Sequence, residues 1–138
     1  MSENFQKVEE FVLELGFQID EKIPADEILI VEDDDRGIHN LLIDCEDDVL
    51  VLEQLILKLD PQAQAEIYRR LLQINRTLVY GAFVLDEGGT HLLFRNTLAL
   101  ENLDLNELEG SINALSLALA ENGDELLTFV NKDNSQSN

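Results

Sequence analysis

Residues 28–59 read ILIVEDDDRGIHNLLIDCEDDVLVLEQLILKL. Three apolar runs stand out, Ile28 to Val31, Ile38 to Cys45 and Val49 to Leu57. The turn Glu32-Asp33-Asp34-Asp35-Arg36-Gly37 separates the first two, and Glu46-Asp47-Asp48 the second two. Acids and glycine are ordinary turn formers. Short β-rich runs joined by short turns predict an antiparallel meander of three strands. The third run also fits a helix, through Leu52, Leu55, Ile56 and Leu59. Strand is preferred because a cleaner helix start, Asp60-Pro61, follows at once.

That third run carries apolar side chains on both faces, in Val49-Leu50-Val51-Leu52 and again in Leu55-Ile56-Leu57. Alternate residues of a strand point to opposite faces. One face meets helices, and the other needs cover from a second chain or from another layer of this one. A hairpin further on, Ala82 to Leu85 with Leu92 to Phe94, behaves in the same way. The partner-binding candidates are therefore Val49, Val51, Leu52, Leu55, Leu57, Phe83, Leu92 and Phe94.

Outward from the meander the pattern becomes helical. On the N-terminal side, Phe5, Val8, Val12 and Leu15 recur at helical spacing, with Glu9, Glu10 and Glu14 opposite and Gly16 as the stop. Pro24 and Asp26 break the chain before the meander. On the other side, the helix opened by Asp60-Pro61 aligns Ile67, Leu71, Ile74 and Leu78 and runs to about Arg76. Tyr80 to Leu85 and His91 to Leu98 form a hairpin around Asp86-Glu87-Gly88-Gly89. Asp104 with Glu107 forms a capping box for a helix striped by Leu105, Leu108, Ile112, Leu115 and Leu119. Asn122-Gly123 is expected to end it, with a short helix through Leu126-Leu127 to Val130. The expected order is α-β-β-β-α-β-β-α, an α+β fold with an antiparallel sheet packed against helices. Residues 1–131 form one domain, and 132–138 are expected to be a disordered tail.

Twenty-nine acidic residues against nine basic ones give a formal charge of −20. Nucleic acid and anionic membranes both require clustered Lys and Arg, so this balance excludes them as partners. It favours cationic polypeptide segments. A single cysteine, Cys45, forbids an internal disulfide and suits a reducing compartment. The start, Met1-Ser2-Glu3-Asn4-Phe5, has no basic region followed by an apolar core, so a cytoplasmic location is expected.

Chemistry-bearing patterns are scarce. A calcium loop counted from Asp33 needs glycine at its sixth position and glutamate at its twelfth, whereas Gly37 is fifth and Asp44 twelfth. His39, Cys45 and His91 are zinc-type ligands, and His39 and Cys45 share one strand face by parity. Six strand residues span roughly 20 Å, too far for one ion. Cys45 lies between Asp44 and Glu46, which disfavour a reactive thiolate. None of Ser2, Ser111, Ser116, Ser135 and Ser137 sits in a nucleophile elbow. The stretch Asp86-Glu87-Gly88-Gly89 lacks the Lys-Ser/Thr of a phosphate loop. No catalytic, metal or cofactor site is expected.

The element order, with Leu71-Leu72-Gln73-Ile74-Asn75, Gly81-Ala82-Phe83-Val84-Leu85-Asp86 and the stretch from Leu98 to Leu103, resembles the Tir chaperone (CesT) family. These are the class I type III secretion chaperones, and YbjN-like proteins are their relatives. The resemblance implies a homodimer that holds an extended effector segment on apolar patches, without cofactor or catalysis. Backbone pairing at a sheet edge would add affinity. A YbjN-like regulatory or adaptor protein with a folded partner is the alternative, and a small-ligand-binding domain is a third.

Overall fold

A computed structural model describes residues 2–60 and 62–130. The expected tail, 132–138, and Pro61 lie outside them. The elements are α1 (Glu3–Glu14), β1 (Gln18–Ile23), β2 (Ile28–Asp33), a 3-10 turn (Asp34–Arg36), β3 (Ile38–Glu46), β4 (Val49–Lys58), α2 (Ala65–Asn75), β5 (Ala82–Leu85), β6 (His91–Ala99) and α3 (Leu105–Leu127). The strands form one antiparallel sheet in the order β1-β2-β3-β4-β6-β5. The α+β class and the antiparallel sheet agree with the sequence reading.

One strand precedes those expected. β1 reads QIDEKI and is mostly exposed, so it lacks the apolar run that marks β2, β3 and β4. It forms because Pro24–Glu27 turns the chain back onto β2, which supplies a ready row of amides. The remaining order holds.

Pairing lines show which side chains share a face, because partners across an antiparallel ladder point the same way. Leu29, Ile43 and Leu52 form one such line, and Phe83 with Phe94 belongs to another. These residues join Phe5, Val8, Leu71, Ile74, Leu108 and Ile112 in a single buried core. The three helices described therefore cover one face of the sheet. Ser2 caps α1 by accepting from Phe5 N–H at 3.1 Å. The Asp104–Glu107 capping box opens α3 as expected. Arg70 donates twice to Glu125, at 2.6 and 3.0 Å, tying α2 to α3.

Four expectations need correction. Asp60 holds a turn instead of a helix start, accepting from Gln62 N–H at 2.9 Å, and α2 begins four residues after Pro61 behind Gln64. α3 runs unbroken through Asn122-Gly123 to Leu127. Burial of Leu126 and Phe129 outweighs the roughly 1 kcal/mol that a helical glycine costs. β5 begins at Ala82, because Gly81 takes φ +75°. Asn40, at φ +49°, shifts the register of β3. Ile38 and Leu41 consequently both face the core, and His39 does not share a face with Cys45.

Candidate functional site

No helix among the described residues is long and apolar enough to cross a membrane. Among the described residues, no helix covers the other face of the sheet. Its pairing lines run across the strands. One line is Ile23, Ile28, Asp44, Val51 and Thr97. The next is Glu21, Ile30, Leu42, Glu53, Arg95 and Ala82, and further along lie Leu55, Leu93 and Val84. Apolar and acidic side chains are thus interspersed over β2, β3 and β4. Val51 is only 6% exposed yet stands apart from the helix-side core, sheltered by its neighbours on this face.

The eight candidate residues divide. Val49, Val51 and Leu55 lie on the open face, with Leu55 54% exposed. Leu52, Phe83, Leu92 and Phe94 belong to the core beneath the helices. Leu57 is half-buried against that core, because the register shift between Leu55 and Leu57 turns it inward. Strict alternation without the bulge would have left it beside Leu55.

Asp44 sits in the middle of this face. Its carboxyl is pushed up to about 6, first by burial, then by the carboxyl of Glu46 and by Asp26. Its ordinary value is 3.8. Between those values the folded chain binds this proton more readily than the unfolded chain. The group's contribution to stability is therefore least favourable above pH 6 and improves as pH falls through that window. Asp44→Asn is expected to raise the urea midpoint at about pH 8, with a much smaller gain at about pH 4.5. Equal shifts at both pH values would contradict this account.

A second apolar surface lies at the sheet margin. A groove of about 410 Å³ runs between α2 and β5, lined by Tyr68, Leu71, Leu72, Val84 and Leu85 among others. Leu72 is 71% exposed beside it. Asn75 closes its floor: Nδ2 donates to Phe83 C=O at 3.0 Å, and Phe83 N–H donates to Oδ1 at 2.8 Å. The side-chain amide thereby occupies the outward backbone groups at the middle of β5.

The remaining candidates stay separate. Cys45 is buried, and its thiol is pushed up to about 11 by burial first, then by Glu27 and Asp44. His91 pairs with Asp86 at 2.8 Å within its hairpin. His39 meets Glu32 at 3.1 Å, and with Asp34 these two place ligand-type atoms within 4.8 Å of one another. Glu32 also accepts from Asn40 N–H at 2.8 Å, so its carboxylate holds the irregular end of β3. Sequence spacing did not reveal this trio, because it depends on the left-handed Asn40. Sequence reading also missed Gln54. It is buried, accepts from His39 N–H at 3.0 Å and donates to Gly37 C=O at 3.1 Å.

No curated protein sequence matches the chain. Solved structures do share its fold. YbjN, a candidate transcription regulator from E. coli, aligns with a TM-score of 0.66 at 16% identity, covering 88% of this chain and 92% of that one. The Yersinia pestis type III secretion chaperone SycH, solved in complex with a stable fragment of YscM2, aligns at 0.54 and 19% identity, covering 91% and 98%. An uncharacterised protein of Methanothermobacter thermautotrophicus aligns at 0.59 and 17% identity, covering 86% and 92%. The CesT_Tir_1 family model matches residues 1–132, and the chain belongs to that family.

Proposed function

We propose that this protein is a non-enzymatic, cytoplasmic, chaperone-like module that holds an extended segment of a client polypeptide on its open sheet face. The observation that carries the reading is that face, which holds Val51, Ile28, Ile30 and Leu42 outside the helix-side core. Apolar area of this kind is an expected contact for another chain. SycH, which shares the fold, is seen with a fragment of another protein, and that supports a polypeptide as the partner class. Backbone pairing at β5 contributes little, because Asn75 already holds Phe83. Side-chain contact across the face is the main source of affinity.

The chaperone acts as a homodimer joined along α2 and β5. Two chains of charge −20 repel each other least where basic residues are concentrated. Arg69, Arg70 and Arg76 lie on or beside α2, where Glu66 and, from α3, Glu125 answer two of them and leave Arg76 in excess. Exposed Leu72 and Tyr80 add apolar area there.

The experiment is affinity capture from the native cytosol with native mass recorded in the same run. The wild type is expected as a dimer carrying a stoichiometric polypeptide. Leu55→Asp should lose the polypeptide and keep the dimer, and Leu72→Glu should give a monomer. A wild type without bound polypeptide, or a Leu55→Asp variant that retains it, would refute the client-binding surface. A dimeric Leu72→Glu would refute the dimer contact.

A further inference from the structure

The open sheet face also carries a charge pattern that selects its occupant. Asp44 lies between Ile28 and Val51 across the strands, and Glu46 pairs with Val49 in the adjacent line. Asp26 is in the turn just before β2, and Glu53 faces Leu42. None of Asp26, Asp44 and Glu46 has an ion-pair partner within 4.0 Å among the described residues. The nearest cation by register, Arg95, is engaged with Glu53 at 3.4 Å. The other basic residue of the face, Lys58, lies at the far end of β4. Asp44, set between Ile28 and Val51 and half-buried, loses part of its hydration and gains no counter-charge, with exposed Glu46 beside it, so a fixed cation delivered there is favoured more than at an open surface.

Resting on the client-binding reading above, we propose that the segment held on this face is an extended stretch alternating apolar residues with Lys or Arg, its cationic side chains seated on Asp44 and Glu46. Extended geometry follows from the receptor. Lines of side chains along β3 and β4 repeat every two residues, and a strand-like ligand has the same period. A second copy of this chain does not fit. Face-to-face packing would set Asp44, Glu46 and Glu53 against like charges in two chains that each carry −20. Nor does nucleic acid, which offers phosphates to a field of the same sign. The raised proton affinity of Asp44, caused by burial, Glu46 and Asp26, agrees with a carboxyl pair that lacks its cation.

The test uses two synthetic peptides of equal length, one alternating leucine with lysine and one alternating leucine with glutamine. Binding to the full chain is followed by fluorescence anisotropy. The lysine peptide is expected to bind about tenfold or more tightly than the glutamine peptide. Asp44→Asn/Glu46→Gln should remove that preference. Asp34→Asn/Asp35→Asn, which removes the same charge from the turn at the other end of β3, should keep it. Equal losses in the two double variants would reduce the effect to net charge and overturn the proposal. So would equal binding of the two peptides to the wild type. If both peptides bind and Leu55→Asp weakens both, the face reading stands even when the cation preference fails. If Leu55→Asp changes neither, both the face and the cation seat are refuted.

Discussion

Leu52→Asp is expected to leave no folded protein, whereas Leu55→Asp, three positions along the same strand, keeps the native far-UV spectrum and a cooperative urea transition. Leu52 is 3% exposed, lies opposite Ile43 and Asn96, and packs into the layer beneath the helices. Removing a buried leucine side chain costs about 2–5 kcal/mol. An unpaired carboxylate in its place adds several kcal/mol more, unless it takes up a proton and spends that energy on titration. Against a total stability on the order of 5–15 kcal/mol, the sum leaves little or nothing. Leu55 is 54% exposed on the opposite face, so the same carboxylate there stays hydrated. A cooperative, native-like Leu52→Asp would mean that β4 presents the other set of residues to the helices, and the two-faced account would fall with it.

Gly81→Ala is expected to lower stability by about 3 kcal/mol, the largest effect of alanine at any of the glycines. Gly81 sits at φ +75°, where an L side chain strains the backbone by about 1–2 kcal/mol. A Cβ at this position would also lie 2.5 Å from Phe94 Cζ and 2.7 Å from Cε1, with Arg95 C=O at 3.1 Å. The Phe94 ring cannot swing aside freely, because it is 2% exposed and stacks edge-on against Phe83 with centroids 5.6 Å apart. Gly16 and Gly89 share the positive φ but have open space around the added atom, so alanine there meets only the backbone strain. Urea midpoints of the three alanine variants check this. A shift at Gly81 no larger than at Gly16 would show that the ring accommodates the methyl group.

The central meander was legible because its runs are apolar and its turns acidic, and those two signals agree at every boundary from Ile28 to Leu57. β1 was not, since this edge strand turns only Ile19 toward the core, leaves Ile23 on the other face, and otherwise looks like loop. Asp60-Pro61 misled because Asp caps turns as readily as helices. The open face was anticipated from the surplus of apolar residues on β4. The separation of Val51 from Leu52 follows from strand parity alone. The inward turn of Leu57 required the irregular pairing beside Ile56, and the exclusion of His39 from the face of Cys45 required a left-handed Asn40. Local deviations of this kind leave almost no trace in composition or spacing. The family resemblance rested on element order and on the motifs from Leu71 to Leu103, which such deviations do not disturb.

A chain that keeps an oily sheet surface uncovered at cellular concentration runs the risk of growing into fibrils by its margins. The Asn75 amide gives this molecule a defence at one margin, since the outward hydrogen-bonding groups of Phe83 are already taken and β5 is only four residues long. At the other margin the register shift at Asp20 interrupts β1 among Glu21 and Lys22. The apolar area of the broad face, by contrast, offers side chains and no free backbone groups. Along the borders, backbone pairing that would make aggregation self-templating is interrupted at Phe83 and at Asp20.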